Sequence, residues 1–100
     1  MTIGQRLLKT ATKALEDLAA REFSREAILS ACRDSAAQGF TSCRIRPSLP
    51  VDVTATAHMK ALRADLEKER LQLAWIPHGM PGEPSYKVLE VRWEGAARAP

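Results

Sequence analysis

Leu71-Gln-Leu-Ala-Trp-Ile-Pro77 and Tyr86-Lys-Val-Leu-Glu-Val-Arg-Trp93 are the two stretches on which the fold turns. In the first, Leu71, Leu73 and Trp75 alternate with Gln72 and Ala74; in the second, Leu89, Val91 and Trp93 alternate with Glu90 and Arg92. A period of two belongs to strands, which show successive side chains to opposite faces of a sheet. Pro77 is expected to end the first strand, because it has no ladder donor. The segment His78-Gly-Met-Pro-Gly-Glu-Pro-Ser85 holds two glycines and two prolines and reads as a loop. The pair is therefore expected to form an antiparallel hairpin.

Upstream of the hairpin the period changes. Ala55, Met59, Leu62 and Leu66 recur at three and four, the spacing of one helix face, with Asp52 or Thr54 as the expected cap. Thr41 to Arg46 returns to alternation, Cys43 and Ile45 against Ser42, Arg44 and Arg46, before Pro47 and Pro50 close the strand. Ser24 is placed to accept from the free amides of a helix start, with Phe23 and Ile28 as the staple around it. That helix is expected to run to Ala37, where Gly39 can turn left-handed and Phe40 can fold back over the last turn. Ile3, Leu7, Ala11, Ala14, Leu15 and Leu18 give an earlier helix one apolar stripe, opposite Lys9, Lys13, Glu16 and Asp17.

The expected architecture is one α+β domain: two N-terminal helices, then strand-helix-strand-strand. An added helix over 1–21 precedes an α+β core over 22–94 and a frayed tail over 95–100. The strand-helix-strand portion is long enough for a right-handed crossover between parallel strands, which gives a three-stranded mixed sheet with helices on one face. The last strand would then be an unpaired edge able to accept a neighbour. The other face would carry Arg44, Arg46, Gln72, Glu90 and Arg92, open to solvent or to a partner.

Composition bounds the function classes. At 45% hydrophobic and 27% charged the chain is an ordinary globular protein. No run approaches the ~20 apolar residues of a membrane span, and the amino terminus turns polar too soon for a signal peptide. Cys32 and Cys43, eleven positions apart, do not make the framework of a small secreted module and read as buried thiols. A net charge of +3 is compatible with anionic partners without pointing to one.

Metal sites usually contain a close ligand pair, and Cys32, Cys43, His58 and His78 supply none; His58 reads as a surface residue of the third helix and His78 as a loop residue. No motif surrounds either histidine as base to a nucleophile, and Gly79 and Gly82 do not open a helix as a phosphate loop must. A non-enzymatic protein without cofactor or metal is the expectation. A winged helix is disfavoured, because a strand and a proline-rich loop separate the second and third helices. Two binding readings remain. Trp75, His78, Met80, Tyr86 and Arg92 around the hairpin have hot-spot chemistry and point to a host protein or to self-association through the first helix or an edge strand. Alternatively Arg44, Arg46, Lys87 and Arg92 contact phosphates of a nucleic acid or nucleotide, with Tyr86 and Trp93 stacking on bases.

The residues Ala36-Ala-Gln-Gly-Phe40, Ile45, Leu62, Leu66, Leu73 and Val91-Arg-Trp93 lie in an order, helix, strand, helix and hairpin closing on tryptophan, that resembles small uncharacterised tailed-phage proteins. The resemblance spans Ile28 to Trp93 and rests on no catalytic motif. It implies a phage or prophage accessory protein in the cytoplasm of a bacterial host, of the host-takeover or anti-defence type, occupying a host protein or sequestering a ligand. It transfers no functional residue.

Overall fold

The structure, a computed structural model, describes residues 2–79, 81–82 and 86–95. The loop residues Met80 and 83–85 and the tail over 96–100 lie outside that set. Among the described residues three helices, α1 (Ile3–Glu22), α2 (Arg25–Ala37) and α3 (Ala57–Lys68), and three strands, β1 (Ser42–Ile45), β2 (Gln72–His78) and β3 (Tyr86–Arg92), follow the α+β order expected.

Local chemistry sets the helix ends. α1 starts with a reciprocal capping box, the Gln5 amide donating to Thr2 Oγ1 at 3.1 Å and the Thr2 amide to Gln5 Oε1 at 2.8 Å. Ser24 caps α2, its Oγ accepting from the Ala27 amide at 3.2 Å. At the far end Gly39 takes φ +95°, and the Gly39 and Phe40 amides close on the Ala36 and Ser35 carbonyls at 3.0 and 3.1 Å. The backbone motif is complete, but the Phe40 ring stays 60% exposed and does not fold over the turn. The cap of α3 is Thr56, whose hydroxyl accepts from the Met59 amide at 3.3 Å. Neither expected cap serves: the Asp52 carboxylate is engaged by the Thr54 amide and hydroxyl in a local turn, and the helix begins after Thr56, two residues beyond Thr54.

The strand order is β1-β3-β2, and both pairings are antiparallel. This corrects the mixed sheet. β1 and β2 do run in the same direction, but β3 inserts between them, so they share no ladder. β3 is thus the central strand and β1 and β2 are the edges, the reverse of an unpaired final strand. The central position shows in β3 itself, where Val88, Leu89, Glu90 and Val91 are buried in succession, whereas β1 and β2 have no such run. Pro77 lies within β2, opposite Lys87, rather than ending it, as an edge strand permits.

Across the sheet, Cys43-Val91-Leu73 and Ile45-Leu89-Trp75 form rows on the helix-covered face. α2 packs over β1 and α3 over β2. Phe23, Ile28, Leu66, Leu89, Val53 and Val91 are the largest fully buried side chains between the layers, each adding about 1.5–3 kcal/mol of burial.

α1 joins this core by its C-terminal half alone. Leu18 and Ala19 are buried, whereas Ile3 and Leu7, expected on the docked stripe, are 76% and 65% exposed and Ala11 and Ala14 are exposed too. The helix projects, and the radius of gyration is 15.4 Å against about 13 Å for a compact chain of this length. Its root is pinned by two carboxylates. Glu16 accepts from the first two amides of α3, Ala57 at 2.7 Å and His58 at 3.3 Å, where the helix dipole favours negative charge. Glu22 accepts from the Ser48 amide at 2.7 Å and from its hydroxyl.

Candidate functional site

The face of the sheet away from the helices is built from the alternate residues of the same strands. Its rows are Ser42-Arg92-Gln72 and Arg44-Glu90-Ala74, followed by Val88 opposite Ile76 and Tyr86 opposite His78. Glu90 sits at the centre. It is only 8% exposed, and a guanidinium reaches it from each side, Arg44 Nε at 3.1 Å from Oε2 and Arg92 Nε at 3.2 Å from Oε1. Arg92 also lies 3.8 Å from the Glu94 carboxylate. Two arginines and two glutamates therefore balance within one ionic cluster, and Arg46, which makes no ion pair among the described residues, supplies the net positive charge.

Next to this cluster is a small pocket of about 210 Å³ lined by Arg44, Arg46, Ile76, His78 and Val88. Ile76 and Val88, opposite each other on β2 and β3, supply its apolar lining, and Arg44, Arg46 and the His78 imidazole its polar groups. His78 stacks on Tyr86 with ring centroids 5.3 Å apart and planes at 28°, which gives the pocket a flat aromatic edge. An apolar lining with a few convergent polar groups is the usual composition of a small recognition site.

The sequence-predicted residues do not all meet here. Arg44, Arg46, His78, Tyr86 and Arg92 share the open face. Trp75 is on the opposite one, half-buried and tilted at 59° against Phe23 at 6.1 Å, and Trp93 packs against the core as well. Lys87 is also turned to the helix side, its Nζ 3.7 Å from Asp52. Met80 lies outside the described residues. His78 ends β2 rather than sitting in the loop, and His58 is half-buried, its Nε2 2.8 Å from the Phe23 carbonyl oxygen. The residues not anticipated are Ile76 and Val88. Their signal was in the sequence, since Trp75-Ile76 and Val88-Leu89 place apolar side chains at both parities of a strand.

Several titrations reflect the scaffold. Hydrogen bonds from the Ser48 side chain hold the Glu22 carboxyl below its ordinary value of 4.5. Burial works against ionisation of Asp52, but hydrogen bonds from Thr54 and the Lys87 ammonium together keep its carboxyl below 3.8. Burial, reinforced by the nearby Cys43 thiol, pushes Cys32 from 9.0 up to about 11; both cysteines are free. Among the described residues no three His, Cys, Asp or Glu side chains gather in a group that could hold a metal ion, and no helix is long and apolar enough to cross a membrane.

Fold and face together define a small α+β module that presents a half-ionic, half-apolar sheet surface. No protein-family model matches the chain, and no curated protein or solved structure matches it either.

Proposed function

We propose that the chain is a small non-enzymatic binding protein, a phage or prophage accessory factor of the kind it resembles, which acts in the host cytoplasm by occupying a protein surface with the open face of its sheet. The observation that carries this reading is the pocket between Arg46, His78 and the apolar lining of Ile76 and Val88. It suits an apolar side chain of the partner seated on that lining, with an adjacent carboxylate paired to Arg46. The ion-paired Glu90 keeps the surrounding surface rigid and nearly neutral, so that shape and burial decide affinity more than charge.

The nucleic-acid reading is supported less. Phosphate-driven binding needs several cations free to displace counterions. Here Arg44 and Arg92 are engaged by Glu90, Lys87 points to the other face, and Tyr86 is already stacked on His78. A tagged chain used for affinity capture from a bacterial host tests the proposal. Ile76→Asp and Arg46→Glu should each abolish a captured band that the α3 surface control Lys60→Glu retains. Capture indifferent to both, or retardation of single-stranded nucleic acid that weakens steeply with salt, would remove the protein-surface reading.

A further inference from the structure

The projecting half of α1 leaves an apolar stripe in water, with Ile3, Leu7 and Leu8 at 76%, 65% and 69% exposure. Beside its root lies a groove of about 730 Å³ whose walls include Ala14, Leu18, Leu49, Val51, Asp17 and Asp52. Leu49 is itself 56% exposed. The stripe and the groove adjoin on one molecule but cannot fill each other, because the stripe points away from the body along a continuous helix.

We propose that the chain forms a two-fold homodimer in which the α1 helices lie antiparallel, Ile3 and Leu7 of each copy seated in the groove of the other beside Ala14, Leu18 and Leu49.

Two features select a second copy as the occupant. The first is reciprocity. An isologous contact must match a surface to itself, and an antiparallel pair centred on Ala11 puts the apolar N-terminal turns of each helix against the groove at the root of its partner. Ala11 and Ala14, both small and exposed, let the backbones approach at the crossing. The second is charge. From Thr2 to Ala14 the helix carries Arg6, Lys9 and Lys13 and no acid, while the groove carries Asp17 and Asp52, whose own partners, Lys13 at 3.3 Å and Lys87 at 3.7 Å, form solvent-screened pairs that a further cation can join, with Arg21 at its far end 3.8 Å from Glu22. Antiparallel pairing brings Arg6 toward Asp17 of the partner; a parallel pair would bring Arg6 toward Arg6. A basic amphipathic helix also suits an anionic membrane, but a flat bilayer leaves the groove unfilled and brings Asp17 and Asp52 toward like charge. The surface is independent of the sheet-face reading, because α1 packs on α3 in the helix layer on the other side of the sheet.

Sedimentation of the full chain over a wide concentration range is the test. The native protein should approach twice 11.0 kDa. Leu7→Glu should be monomeric at every concentration with an unchanged circular-dichroism spectrum, since Leu7 makes no part of the core. Arg6→Glu should weaken the dimer about tenfold or more, as truncating a close charge pair does, and Arg6→Glu combined with Asp17→Arg should recover it. A native chain that stays monomeric overturns the proposal, whether or not it pellets with phosphatidylserine vesicles. So does a dimer that survives Leu7→Glu, or one that the double charge reversal fails to restore.

Discussion

Replacing Glu90 by glutamine keeps its shape and removes the charge that two guanidiniums share. The stability cost follows from the surroundings. Glu90 is nearly buried, but Arg44 and Arg92 are 66% and 50% exposed, so each pair is worth a solvent-screened ~0.2–1 kcal/mol rather than the value of a buried bond. Two such losses, plus the repulsion left between the guanidiniums, put the cost at about 1–2 kcal/mol. For a chain of this length that lowers Tm by roughly 4–8 °C per kcal/mol. Thermal unfolding followed by circular dichroism reads it directly. High salt should shrink the difference between native and variant, because part of it is Coulombic and within reach of screening. The same substitution frees both arginines, so Glu90→Gln should retard single-stranded nucleic acid where the native chain does not. An unchanged Tm, or a drop of the same size at low and high salt, would refute the reasoning that Glu90 is an ionic clamp on this face.

Further outcomes are expected from the core, the caps and the titrations. Leu89→Ala, at a fully buried position of the central strand, should cost about 2–5 kcal/mol in urea unfolding. Glu16→Ala should cost about 1–2 kcal/mol, the worth of a helix cap plus its dipole contribution, and should raise hydrogen exchange at the Ala57 and His58 amides in particular. Glu22 and Asp52 have lowered carboxyl values when folded, so their contribution is fully present above 4.5 and 3.8 and is lost as pH falls through the folded values; Glu22→Gln should flatten the acid limb of a stability-pH curve. Cys32 runs the other way: its thiol ionises more readily unfolded, so stability is complete below 9.0 and declines as pH rises toward 11, a limb that Cys32→Ala should remove.

Much of this fold was readable from local chemistry. Ser24 with Phe23 and Ile28 marks the start of α2, Gly39 its end, and the alternation around Trp75 and Leu89 the hairpin. Strand order was not readable from spacing, because any of three strands joined by a long crossover can be central. Apolar side chains at both parities do not decide it either, since the edge strand β2 has them at Trp75 and Ile76 just as β3 has them at Val88 and Leu89. Pro77 does not end β2, because an edge strand can turn the position of the missing donor away from the ladder. Periodicity showed that α1 has an apolar stripe but not what covers it, and the body of the molecule reaches only as far as Leu15. For the site, counting by two already separates Lys87 from Arg92 and Trp75 from His78, so those pairs could have been assigned to opposite faces from sequence alone. The Glu90 clamp needed the register, which sets Arg44 directly opposite it on β1.

Arginine footprinting of the captured complex tests the central claim most directly. With a dicarbonyl reagent and mass spectrometry, Arg44, Arg46 and Arg92 should be shielded when the partner is bound, while Arg33, exposed on α2, reacts as in the free chain. Shielding of Arg33 with Arg44 and Arg46 still reactive would place the partner on the helices and contradict the account.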